Sequence, residues 1–218
     1  MSLLNKLKQK YIFNFGSTKR RFEEIYKSNF WASNESISGP GSQLDKTITI
    51  REELPRIIEK FQIKTLLDLP CGDFYWMSRV NLKGVHYIGG DIVTNLIKLN
   101  NDKYQNDNII FKELNLISDS LPKVDAILVR DCFIHLSEKQ ILEALKNIKT
   151  FGIKFLITNN FPDFERNFDI KTGMFRKVNF SSLPYILDTP IFEVEEKEHY
   201  SDVDGRKMIS VYMVDSLK

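Results

Sequence analysis

The sequence predicts an α/β fold on a mostly parallel sheet, and three observations carry the prediction. Short apolar runs recur at 64–69, 85–89, 109–112, 124–130 and 153–158. Segments that can be helical lie between most of them, at 74–81, 93–104 and 137–150. Strand, helix, strand, helix is the pattern of a parallel sheet covered on both faces. Two last runs, 191–198 and 207–214, flank a turn at Ser201–Gly205 and read as a closing antiparallel hairpin at the sheet edge, which brings the strands to seven.

The elements ahead of the sheet follow from helical spacing. Leu3, Leu4, Leu7 and Tyr11 predict a helix over 2–13, and Phe22, Ile25 and Tyr26 another over 18–29. NESISGPGSQ at 34–43 is punctuated by Gly39, Pro40 and Gly41 and reads as a turn. Residues 44–61 place Leu44, Ile48, Leu54, Ile57, Ile58 and Phe61 on one helical face, with Pro55 as a kink or a break. The connection 113–123 has room for little more than a turn. After Pro162 comes a long loop containing Gly173, Pro184 and Pro190. There is no internal repeat and no sign of a second domain, so residues 1–62 are expected to cap a core formed by 63–218.

Composition narrows the function. A chain of 218 residues buries one substantial core. A net charge of +2 exerts no strong pull on nucleic acid. The charge is uneven: residues 1–30 hold seven Lys/Arg against two Asp/Glu, a local +5, so the remainder sums to −3. That basic end, with Lys6, Lys8, Lys10, Lys19, Arg20 and Arg21, reads first as the solvated face of a docking helix. Cys71 and Cys132 are far apart and have no metal-ligand spacing, which fits a reducing compartment and suggests no zinc site. Lys and Gln interrupt the first ten residues, and no apolar run approaches the roughly 20 residues of a membrane helix. The expected location is the cytoplasm. Abundant Lys, Asn and Ile suggest an AT-rich bacterial genome.

In open α/β sheets ligands bind beyond the carboxyl ends of the strands. The first strand runs into LLDLPCGD, where Asp68 sits inside a buried apolar run and Pro70, Cys71, Gly72 and Asp73 then break it. A carboxylate there is costly unless something meets it. The second strand ends at Gly89-Gly90-Asp91, the third near Asn115, the fourth at Arg130-Asp131, and the fifth at Asn159-Asn160-Phe161-Pro162. Gly72 permits a tight turn close to a ligand, and Asp91, nineteen residues on, is placed to accept two ribose hydroxyls. The dinucleotide fingerprint G-x-G-x-x-G is absent, and with it the cradle for a pyrophosphate. A nucleoside without phosphates suits this turn better than NAD.

LLDLPCGD, YIGGDI at 87–92 and VDAILVRDCFIHL at 124–136 together resemble the class I S-adenosylmethionine-dependent methyltransferases, in order and spacing, over about 63–158. SGPGS at 38–42, PCGDFYW and RDCFIHL, with Trp31, are similar to a smaller bacterial subgroup of that class. The resemblance implies a Rossmann-like, doubly wound seven-stranded sheet with a reversed C-terminal strand, and S-adenosyl-L-methionine as cofactor. It implies cofactor contacts at Asp68, Pro70, Cys71, Gly72, Asp91, Ile92, Asn115 and Arg130, with Asp68 beneath the turn. Two departures stand out. The family's D-x-G-x-G-x-G turn has Pro70 for its first Gly and Phe74 for its last, and the position after the third strand, often acidic in the family, is Asn115.

The resemblance also places Asp131 and His135 near the reacting methyl group, as candidate catalytic residues. Segments 30–42, 131–136 and 159–185 are expected to form the acceptor pocket, with Trp31, Phe161 and Arg176 as the leading contacts. The expected reaction is O-methylation of a small molecule or carbohydrate, such as a surface-polysaccharide precursor, by a monomer or homodimer without nucleic acid, integral membrane or metal. N-methylation, or an inactive nucleoside-binding module, is the alternative. The NPPY-like motif of amino-methylating DNA enzymes is replaced by VRDCF.

Overall fold

The strand order is β3-β2-β1-β4-β5-β7-β6 in one seven-stranded sheet. The structure is a computed structural model that describes residues 16–185, 187–199 and 205–216. The helix expected over 2–13 and most of the turn expected at 201–205 lie outside the described residues. The strands are β1 Thr65–Asp68, β2 His86–Asp91, β3 Ile109–Glu113, β4 Ala126–Val129, β5 Phe155–Asn160, β6 Phe192–Glu195 and β7 Met208–Met213. The first five run parallel, and β7 is antiparallel to both β5 and β6. The chain winds one way from β1 to β3 and then returns to β4 on the other side of β1. The gap between β1 and β4 is therefore the switch point, where loops diverge and leave room for a ligand.

Among the described residues four α-helices accompany the sheet: α1 Thr18–Lys27, α2 Ile48–Lys60, α3 Thr94–Tyr104 and α4 Glu138–Thr150. Successive strand residues face opposite sides. Leu67, Ile127 and Val129 thus join Ile141, Ala144, Leu145 and Ile148 of α4 in one core cluster. Leu66, Ala126, Leu128 and Ile157 join Ile50, Leu54 and Ile57 of α2 in the other. Being buried on both faces is why these strands read as continuous apolar runs rather than as alternations.

One sequence expectation is corrected and another narrowed. Residues 74–81 form no α-helix; a single 3-10 turn spans Met77–Arg79. Phe74 takes a left-handed backbone (φ 57°) and its ring packs against Tyr87, Tyr104 and Phe111 at centroid distances of 5.0–5.1 Å. Aromatic packing therefore covers the sheet there in place of a helix. Pro55, in turn, does not break α2, which continues through it. The helix loses the bond to the Arg51 carbonyl, but fully buried Ile50, Leu54 and Ile57 hold its inner face.

Candidate functional site

A cavity of about 790 Å³ opens at the carboxyl ends of β1, β2 and β4. Twelve of the thirteen residues expected at the site line it: Asp68, Pro70, Cys71, Gly72, Asp91, Ile92, Asn115, Arg130, Asp131, His135, Trp31 and Phe161. Arg176 does not. Its side chain is buried, and its guanidinium donates to the carbonyls of Phe133 and Leu136 and to the Tyr185 hydroxyl at 2.7–3.4 Å. The expected acceptor contact is instead an internal brace for the 133–136 loop.

The floor of the cavity is the turn after β1. The Leu69–Pro70 bond is cis. Gly72 has φ 55°, and a Cβ on it would lie 2.2 Å from the Ser38 hydroxyl. Glycine is needed there for both backbone and space. Asp73 is the hub that ties this turn to the 36–38 segment. It accepts from the Ser36 hydroxyl, the Ile37 N–H and the Ser38 hydroxyl, while its own N–H donates to Ser38 Oγ at 2.9 Å. The SGPGS loop and the PCGD turn are thus one structural unit.

Two carboxylates face this floor. Asp91 ends β2; its Oδ2 accepts from the Gly72 N–H at 3.1 Å and its Oδ1 from the Val93 N–H at 2.9 Å. Burial pushes its pKa up to about 6, against the pull of those backbone donors. Asp68 ends β1 and accepts from the Tyr87 hydroxyl at 2.6 Å. Burial pushes it up to about 7; the Tyr87 bond opposes the rise and the nearby Asp91 adds to it. Neither acid lies in an ion pair among the described residues. Asn115 sits at the far end, where one lone pair of its Oδ1 is taken by the Ile117 N–H at 3.0 Å. Cys71 is buried, and burial raises its thiol pKa well above the ordinary value, which fits a packed residue rather than a nucleophile.

The opposite wall holds a buried ionic network that sequence reasoning did not assemble. Arg130 donates through Nε and Nη2 to Glu196 Oε1, and through Nη1 to the Gly41 carbonyl at 2.9 Å. Lys207, immediately before β7, bridges Asp131 Oδ1 at 2.8 Å and Glu196 Oε2 at 2.9 Å. Asn159 donates to Glu196 Oε2 and accepts from the Asp131 N–H, both at 2.9 Å. Burial opposes the Arg130 charge, but Asp131 and Glu196 outweigh it and hold its pKa above the ordinary value. Glu196 and Lys207 come from chain more than 60 residues beyond Arg130. Lys207 stands directly before the mostly apolar run MISVYM, which was a signal available in the sequence, whereas Glu196 lies in the charged run EVEEKE and has none of its own. Asp131 is correspondingly ill suited to act as a base. Lys207 contacts both of its oxygens and Arg130 lies 3.0 Å from Oδ2. Protonating it would leave two buried cations short of a partner.

His135 is different. Its Nδ1 lies 2.8 Å from the Met174 carbonyl, an acceptor only, so Nδ1 carries the proton and Nε2 keeps a lone pair. Burial lowers its pKa, which keeps the imidazole neutral. The ring lies 5.2 Å from that of Trp31 and 6.0 Å from that of Phe175. Across the top runs α1, whose Thr18, Phe22 and Tyr26 line the cavity. Lys19 pairs with Glu113 on one side, and the Arg21 guanidinium donates to the Thr172 carbonyl at 3.1 Å on the other.

The sequence matches no protein-family model and no curated protein. Solved structures do resemble the fold. A S-adenosylmethionine-dependent methyltransferase from Leishmania major superposes with a TM-score of 0.65 at 12% identity, over 95% of this chain and 90% of that one. Magnesium protoporphyrin IX methyltransferase from Synechocystis, solved with bound S-adenosylmethionine, gives 0.63 at 10% identity, over 92% and 99%. Human N-acetylserotonin methyltransferase, also solved with S-adenosylmethionine, gives 0.58 at 12% identity over 88% of this chain; the chain spans 58% of that enzyme. At these identities the likeness is one of fold: this chain has the seven-stranded Rossmann-like fold of those methyltransferases. Among the described residues no helix is long and apolar enough to cross a membrane.

Proposed function

We propose that this protein is an S-adenosylmethionine-dependent methyltransferase acting in a bacterial cytoplasm, and that it methylates a hydroxyl of a small-molecule or carbohydrate acceptor, the group that a polysaccharide precursor presents. The observation that carries the reading is the pair of buried, un-ion-paired acids, Asp68 and Asp91, on either strand beside the Gly72 turn. They suit a ligand that brings its own ammonium group and hydroxyls. Asp91 would accept from the ribose hydroxyls and Asp68 would face the amino group. Leu96, Leu114 and Ile117 offer an apolar wall for a flat purine, beside the Asn115 amide.

When bound, S-adenosylmethionine supplies a methyl group on a positively charged sulfur, to which the C–S bonding pair returns on transfer. The protein's part is to align the acceptor oxygen and exclude water, which is worth on the order of 7–11 kcal/mol when the geometry is right. His135 would take the proton that the acceptor hydroxyl loses, at Nε2, while the Met174 carbonyl holds the imidazole in that tautomer. Asp131, braced by Lys207 and Arg130, would shape the wall behind it.

Calorimetric titration with S-adenosylhomocysteine tests the reading, because this product cannot turn over. Micromolar binding by the wild type, weakened about 100-fold by Asp91→Ala, is the expected result. Failure of the wild type to bind would overturn the proposal.

A further inference from the structure

We propose that the acceptor is an uncharged aromatic alcohol, its ring held by Trp31 and Phe175 beside His135; this rests on the methyltransferase reading and takes its small-molecule branch over the carbohydrate one. Rings and apolar side chains stand beside His135, with the charges of Asp131, Arg176 and Lys207 also felt there. Trp31 and Phe175 lie within 6.0 Å of its ring centroid, Ile134 and Leu136 flank it in the chain, and Met174 and Phe161 also line the cavity. Phe175 is 58% exposed and Met174 48% exposed, although both border the cavity. A flat ligand would bury that apolar surface, and ring contacts add to the gain.

Trp31 is a positioned residue. Gly39 has φ 101°, and a Cβ on it would stand 3.4 Å from the indole. The loop therefore lies directly against the ring.

The cations at the cavity argue against a phosphate or a nucleotide sugar. Four line it: Lys46, Arg130, Lys177 and Lys207. Arg130 and Lys207 are bound to Asp131 and Glu196. Lys46 donates to the Glu198 carbonyl and pairs with Asp45 at 3.8 Å, while Lys177 lies 4.6 Å from the Phe164 ring centroid. An anionic acceptor would have to compete with these partners. A neutral ring need not. The chemistry agrees: a neutral imidazole is a better match for a phenolic hydroxyl, which ionises at about 10, than for the far less acidic hydroxyl of a sugar.

The test is calorimetric titration of the full chain with methyl 4-hydroxybenzoate, an uncharged phenol, and with uridine diphosphate glucose. Each is run with and without saturating S-adenosylhomocysteine. The phenol is expected to bind, about tenfold weaker in Phe175→Ala and in Trp31→Ala, and the nucleotide sugar is expected not to bind. Because Phe175 is exposed, its variant keeps the test clear of a folding defect. Binding of S-adenosylhomocysteine without binding of the phenol overturns this inference and leaves the cofactor reading intact. Phenol binding unchanged in both variants, or preference for the nucleotide sugar, overturns it as well. Trp31- and Phe175-dependent phenol binding without any binding of S-adenosylhomocysteine supports the aromatic site and sinks the cofactor reading. If neither binds, both fall.

Discussion

Asp68→Asn separates a structural acid from one kept for a ligand. Asp68 is 2% exposed, and burial lifts its pKa from an ordinary 3.8 to about 7. Because the folded value is the higher one, the folded protein binds the proton more tightly than the unfolded chain. This group therefore costs nothing below about pH 4. Its cost grows as pH rises toward about 7 and is complete above that. At about 1.4 kcal/mol per pH unit the full cost is roughly 4 kcal/mol. Water in the adjoining cavity screens part of it, so about 2 kcal/mol is expected at pH 8. Asn keeps an oxygen for the Tyr87 hydroxyl and carries no charge. The variant should be more stable than the wild type by about 2 kcal/mol at pH 8, with the gap closing toward pH 4 in urea titrations. The same variant should bind S-adenosylhomocysteine at least about tenfold more weakly, since a charged acceptor has been lost. A variant that is no more stable at pH 8 would refute the electrostatic argument. A stabilised variant that binds the ligand as well as the wild type would refute the assignment of Asp68 to the site.

Further predictions follow from individual contacts. Gly72→Ala forces a side chain into left-handed backbone and against Ser38; it should cost about 1–3 kcal/mol in urea unfolding, and adding Ser38→Gly should restore part of that loss. His135→Asn should lower the methyl-transfer rate about 10²–10⁴-fold while leaving S-adenosylhomocysteine affinity unchanged. With S-adenosylmethionine saturating, so that protonation of Asp68 or Asp91 does not limit binding, the wild-type rate should fall only when the pH drops below the ordinary histidine value near 6.5, because burial lowers the His135 pKa and the base stays neutral above it. Arg176→Met strips hydrogen bonds from two buried carbonyls and the Tyr185 hydroxyl; about 3 kcal/mol of stability should be lost with cofactor affinity unaltered, since the Arg176 side chain does not itself line the cavity.

The sheet was legible in the chain because its strands are buried on both faces. Leu66, Leu67, Ile127 and Leu128 leave unbroken apolar runs that local pattern detects, and the residues that end those runs, Asp68, Asp91 and Arg130, mark the strand tips. The same logic located the cavity, since in a parallel sheet the tips share one edge. Helix assignment at 74–81 failed because nothing local reveals that Phe74 turns into a cluster with Tyr87, Tyr104 and Phe111, three residues from other elements. Arg176 was misread for a similar reason: an arginine in a loop has the same sequence signature whether it faces a ligand or three internal oxygens.

The sequence by itself determined the α/β order, the tight turn at Gly72 and the placement of acids at strand tips, because each depends on periodicity or on backbone freedom within a few residues. The tertiary structure alone decided how charge is divided in the cavity. Asp131 and Asp68 are both acids at strand ends, yet one is bound by Lys207 and Arg130 and the other meets only a neutral hydroxyl among the contacts described. That difference comes from β7, which inserts between β5 and β6 and brings Lys207 and Glu196 to Arg130 across more than 60 residues of chain. Charge pairing depends on distance in space, and the topology of the last two strands sets those distances.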